Sequence, residues 1–126
     1  MRAGLTQAAP VMTGSHIDTV RTGGRFDGNL GVLAGLEVIE TLVQHGIDTE
    51  RSVQVGFFTD EEGARFAPDM LGSLVYVGGL ALEDALDICA VDDGARLGDE
   101  LERIGYAGPT PCPVAQPPHA FVELHI

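Results

Sequence analysis

The residues best suited to chemistry lie in three short stretches. The first is Gly14-Ser15-His16-Ile17-Asp18-Thr19-Val20, followed by Gly23-Gly24-Arg25-Phe26-Asp27-Gly28. It sets one imidazole and two carboxylates in a glycine-rich loop. A neutral imidazole with carboxylates is a ligand set that suits zinc and similar divalent ions. The competing reading is a polar loop whose aspartate merely caps the following helix. The second stretch is Asp60-Glu61-Glu62-Gly63. Three adjacent acids repel one another, and a cation would relieve that repulsion; a solvated turn is the plainer alternative. The third is His125, near the end of His119-Ala120-Phe121-Val122-Glu123-Leu124-His125-Ile126.

The elements that must position these residues follow from patterning. Ala8 to Gly14 reads as a short buried strand leading into His16. From Asn29 the pattern turns helical. Leu33, Leu36, Ile39 and Val43 recur at spacings of three and four and are expected to form the buried stripe. Asn29 is the expected N-cap, Gly46 the expected C-cap, and His45 suits the last turn electrostatically. Gly31 and Gly35, one turn apart, would let the helix approach a sheet closely. Val53 to Phe58 is the next strand, ending just before the acidic triplet. Short helices are expected over 70–77, 80–87 and 98–104. Ala107 to Pro118 holds five of the seven prolines and reads as an extended connector. His119 to Ile126 alternates as a final strand.

Strand, helix, strand in this order predicts an α/β fold of βαβ units, with a mainly parallel central sheet flanked by helices. In such sheets ligands bind where strands end and helices begin. Three strand ends then carry His16/Asp18/Asp27, Glu61/Glu62 and His125. Together they form the inventory of a two-metal hydrolase with a spare carboxylate for base work.

The totals agree. At 126 residues and 44% hydrophobic, the chain suffices for one modest domain. A net charge of −12 argues against nucleic acid or an anionic membrane as partner. Cys89 and Cys112 form no metal or redox pair; Cys89 is expected to be packed in an apolar run and Cys112 to be a bystander. With no signal-peptide pattern and no long apolar span, the expected location is cytoplasmic.

Five ordered motifs resemble one family. His16-Ile17-Asp18, Gly24-Arg25-Phe26-Asp27-Gly28, Thr59-Asp60-Glu61-Glu62-Gly63-Ala64-Arg65-Phe66, Met70-Leu71-Gly72-Ser73 and Phe121-Val122-Glu123-Leu124-His125-Ile126 are similar to the M20 metallopeptidase-type amidohydrolases. Within them the likeness is to the branch of N-carbamoyl-L-amino-acid hydrolases, β-ureidopropionases and allantoate amidohydrolases.

The resemblance implies a zinc-exopeptidase-like catalytic domain. It also implies two divalent metal ions, zinc first, with manganese, cobalt or nickel as alternatives. His16 and His125 would bind one ion and Glu62 the other, with Asp27 bridging both. Glu61 would be the general base, and Asp18 would steady the His16 imidazole. The substrate would be a small molecule with a ureido or amide C–N bond, and the parent enzyme a homodimer. An aminopeptidase or amino-acid deacylase is the alternative within the superfamily, and a non-catalytic metal-binding fragment the alternative outside it. The resemblance also implies a cis peptide at Asp27–Gly28.

The family pattern continues past Glu-Leu-His-Ile with a lid or dimerisation domain and a last metal-binding histidine, and it begins with a helical segment. Residues 1–126 are therefore expected to be part of a catalytic domain, inefficient as an enzyme alone.

Overall fold

A computed structural model describes residues 1–126. Three strands and four helices follow in the order β1 (Val11–His16), α1 (Asn29–Gln44), β2 (Val53–Phe58), α2 (Leu71–Val77), α3 (Leu82–Leu86), α4 (Leu97–Arg103) and β3 (Ala120–Glu123). The sheet order is β2-β1-β3, and β1 pairs parallel with both neighbours. This is the expected α/β arrangement. β1 is the central strand, which is why Met12, Gly14, Ser15 and His16 are buried.

Register does most of the positioning. His16 pairs with Phe58 on β2, and Gly14 pairs with Glu123 on β3. Two residues beyond that last pair, the chain brings His125 alongside His16. Three residues beyond Phe58 it reaches Glu61. Parallel pairing therefore delivers residues far apart in sequence to one sheet edge.

The buried face of α1 differs from the expected stripe. Leu33, Leu36 and Val43 are exposed, whereas Gly31, Val32 and Gly35 are buried. The glycines explain this. A Cβ at Gly31 would lie 2.6 Å from Ser15 Cβ, and one at Gly35 would lie 3.0 Å from Thr13 Cγ2 and 3.2 Å from Val55. The helix settles where its backbone can approach the sheet, and that face carries little side chain. Periodicity weighs large apolar residues and cannot register a contact made by their absence.

Smaller differences cluster at ends. β1 begins at Val11 and runs on through His16. The N-cap of α1 is Gly28, at φ 66°, ψ −51°, and Asn29 is its first helical residue. The C-cap is His45, and Gly46 follows at φ 61°. The cis bonds are Ala67–Pro68 and Cys112–Pro113. Asp27–Gly28 is trans, contrary to expectation, which avoids the roughly 2.5–4 kcal/mol that a non-proline cis bond costs.

α2, α3 and α4 gather a small core of Phe66, Leu71, Ala90 and Leu97, with Leu80, Ile88, Ala95 and Leu101 packed on it. Cys89 is exposed, not packed. Ile88 and Ala90 turn inward, so in extended backbone the residue between them turns out. Arg65 ties the loop after β2 to this layer. It donates to Glu100 (2.6 Å) and Asp93 (3.1 Å), and its guanidinium lies 5.2 Å from the Phe66 ring centroid. Hydrogen bonds from Arg103 and Arg65 hold the Glu100 carboxyl at about 2, below its ordinary 4.5.

Candidate metal centre

His16 is fully buried at the end of the central strand. Its Nδ1 lies 2.9 Å from the main-chain oxygen of Asp18. A carbonyl only accepts, so Nδ1 carries the proton and Nε2 presents its lone pair. Around Nε2 stand His125 Nε2 at 3.3 Å, Glu61 Oε2 at 3.4 Å and Asp27 Oδ1 at 3.8 Å. His125 Nε2 is also 3.8 Å from Glu61 Oε1. The two imidazoles meet edge to face, with centroids 5.2 Å apart.

Glu62 completes the cluster beside Asp27. Its carboxyl is raised above the ordinary value, first by burial, then by the hydrogen bond and charge of Asp27 and the charge of Glu61, while His16 pulls it back down. His16, Glu61 and His125 form one group able to hold a metal ion; His16, Asp27 and Glu62 form another. Within each, the ligating atoms lie within 4.8 Å of one another. A cavity of about 560 Å³ opens over them, lined by Asp27, Glu61, Glu62 and His125 together with Gly24, Phe26 and Ile126.

The donor set fits divalent cations. Imidazole nitrogens and carboxylate oxygens converge, and no arginine pairs with Asp18, Asp27, Glu61 or Glu62. The sequence contains no lysine that could do so. Converging carboxylates without a protein cation are a costly arrangement, which a divalent cation would offset.

The acidic triplet is divided by its backbone. Asp60 takes a positive φ of 52° and turns inward, 8% exposed, where its Oδ1 accepts the Phe66 N–H at 3.4 Å. Burial and the nearby Asp18 charge raise its carboxyl to about 6, against the lowering pull of the Phe66 and Arg65 amides. Only Glu61 and Glu62 face the cluster. Asp18 lies beneath it: its carboxylate accepts the main-chain N–H groups of Glu61 and Glu62, each at 3.1 Å. Its Oδ1 is 3.6 Å from His16 Nδ1, so the ring is held by the Asp18 peptide oxygen and not by its side chain.

Three supporting residues were missed by sequence reasoning. Thr19 Oγ1 donates to Asp27 Oδ2 at 3.0 Å. Buried Ser15 donates to Glu123 Oε1 at 2.7 Å, tying β1 to β3 beside the two histidines. The available signal was adjacency: Ser15 precedes His16, Thr19 follows Asp18, and Glu123 sits two before His125.

Comparison with known proteins converges on one group. The sequence pattern of peptidase family M20/M25/M40 matches residues 12–126. An N-carbamoyl-L-amino-acid amidohydrolase of Rhizobium meliloti is 49% identical over 119 residues, covering 94% of this chain and 28% of that protein. The allantoate amidohydrolase of Escherichia coli is 39% identical over 118 residues, covering 92% and 28%. The crystal structure of an amidase of the hydantoinase/carbamoylase family from Burkholderia vietnamiensis superposes with a TM-score of 0.94 at 56% identity, over 99% of this chain and 30% of that one. The chain thus spans somewhat under a third of the length of these relatives.

Proposed function

Because the chain belongs to peptidase family M20/M25/M40, we propose that it forms part of the catalytic domain of a binuclear-metal amidohydrolase. The substrate would be a small molecule with a ureido or amide C–N bond, such as an N-carbamoyl amino acid or allantoate, the classes named for its relatives. The observation that carries this reading is the convergence of His16, Asp27, Glu61, Glu62 and His125 at one sheet edge, with the bare Nε2 of His16 at its centre.

In this reading His16 and His125 would hold one ion and Glu62 the second, with Asp27 as a ligand available to both. Support for the role of Asp27 comes from its place beside both the His16 ring and Glu62. When bound, such ions polarise a carbonyl and make water a better nucleophile. The chain's own residues do the proton work. Glu61, 17% exposed at the cavity floor, takes a proton from the attacking water onto a carboxylate oxygen. As the C–N bond breaks, Glu61 passes that proton to the departing nitrogen. Cavity walls near Phe26 and Ile126 offer apolar contact to the substrate's remainder. Further positioning groups, and the homodimer that the resemblance implies, would come from the regions of the relatives that this chain does not span.

Calorimetric titration with Zn²⁺, Mn²⁺ or Co²⁺ tests the first half of the reading. Turnover of N-carbamoyl amino acids and allantoate by the full-length parent protein tests the second. Expected are metal binding by this chain and chelator-sensitive turnover by the parent that Glu61→Gln abolishes while metal stays bound. Absence of metal binding, or a Glu61→Gln parent as active as wild type, overturns the assignment. An N-acyl amino acid or dipeptide cleaved in place of ureido compounds would move the parent to the deacylase or aminopeptidase class.

A further inference from the structure

We propose that Asp18 is a positioning residue that acts on the Glu61–Glu62 turn: its carboxylate clamps two consecutive main-chain amides and so aims both glutamates at the cluster. This is a property of the folded chain and does not rest on the metal reading.

The geometry separates the two ends of Asp18. Its peptide oxygen holds the His16 ring at 2.9 Å, whereas Oδ1 at 3.6 Å from Nδ1 is beyond hydrogen-bonding distance. The carboxylate is therefore free for other partners, and it takes them from a segment more than forty positions away. Oδ1 accepts from the Glu61 N–H and Oδ2 from the Glu62 N–H. One oxygen to each of two adjacent amides is a fork that only a carboxylate supplies at this spacing. Charged acceptors also make the stronger hydrogen bonds.

The other side of the turn is held by carbonyls. The amides of Met70, Leu71 and Gly72 donate to the oxygens of Glu61, Asp60 and Thr59 at 2.6, 3.1 and 2.9 Å. The turn is thus gripped by its carbonyls from the start of α2 and by its amides from Asp18. Both grips matter because Glu62 lies against Asp27 and feels the charge of Glu61, and like charges push such a turn open. One residue then fixes two parts of the cluster at once: the His16 ring through its peptide and the glutamate pair through its side chain.

Asp18→Asn separates these roles. The substitution keeps the peptide oxygen and one acceptor, but sets an amide NH₂ against one of the two N–H groups. The test uses the ¹⁵N-labelled chain, first in chelator. In the wild type the Glu61 and Glu62 amides should exchange with solvent at least roughly tenfold more slowly than the Gly24 amide, which has no acceptor. In Asp18→Asn one amide of the pair should speed up about tenfold, while the ring ¹⁵N pattern of His16 stays that of an Nδ1–H tautomer. Co²⁺ affinity should fall roughly tenfold, with a changed visible spectrum as the glutamates lose their aim.

Wild-type Glu61 and Glu62 amides that exchange as fast as Gly24 overturn the clamp without any variant. So does Asp18→Asn with both amides still protected, or with a changed His16 tautomer as the only effect. A wild-type chain that binds no Co²⁺ would defeat the metal reading alone, because the exchange measurements decide the clamp in chelator.

Discussion

Replacing Gly28 by alanine should disable the cluster by displacing one ring. Gly28 sits at φ 66°, ψ −51°, a conformation that side chains avoid. Holding an L-residue there costs on the order of 1–3 kcal/mol. The added Cβ would also stand 2.5 Å from both Nδ1 and the main-chain oxygen of His16, and 2.7 Å from Cε1. Ordinary contact begins at 3.4 Å, so the imidazole must withdraw by about 0.9 Å. Overpacking of that kind costs roughly another 1–3 kcal/mol. The combined penalty, about 2–6 kcal/mol, is a large share of the 5–15 kcal/mol that holds a typical domain together. Metal–nitrogen bonds are about 2.0–2.1 Å with tolerances of about 0.2 Å, so the shift also takes Nε2 out of range. Gly46→Ala is the control: its φ of 61° imposes the backbone strain, but nothing lies within 4 Å of the added carbon. Thermal melts should show both variants destabilised, Gly28→Ala more. Zn²⁺ calorimetry should show a loss on the order of a hundredfold for Gly28→Ala and little change for Gly46→Ala. A folded Gly28→Ala chain binding Zn²⁺ within twofold of wild type would refute the reasoning.

Asp27→Ala should weaken Zn²⁺ binding by roughly tenfold or more, and Glu61→Ala by less, since Asp27 neighbours both His16 and Glu62; equal losses by calorimetry would make Glu61 a ligand with His16 and His125. Zn²⁺ at a hundred times its dissociation constant should stabilise the chain by about 2.7 kcal/mol, read as a higher melting temperature that chelator reverses. Acid should unfold the chain partly through Glu100. Its carboxyl is lowered from 4.5 to about 2, so its contribution is full above pH 4.5 and is lost as pH falls through 2. Denaturant melts across that range should show a shallower acid slope in Glu100→Gln, and an unchanged slope would show that the Arg103 and Arg65 contacts carry no such linkage.

Composition and order alone determined the class of this protein. Alternating strand and helix patterns pointed to a parallel sheet, and the placement of His16, Glu61, Glu62 and His125 at strand ends pointed to one shared edge, because parallel strands finish together. The glycines of α1 announced a close approach for the same local reason, the missing Cβ. Tertiary structure decided what depends on a partner distant in sequence. Which face of α1 is buried was settled by Ser15, Thr13 and Val55 on the sheet, not by the leucine spacing. That Asp60 turns away from Glu61 and Glu62 depended on its positive φ and on the Phe66 amide that its Oδ1 reaches. The work of the Asp18 carboxylate was hidden because its partners are main-chain amides. Every residue but proline carries the same N–H, so no side-chain pattern can mark the ones a distant carboxylate will reach.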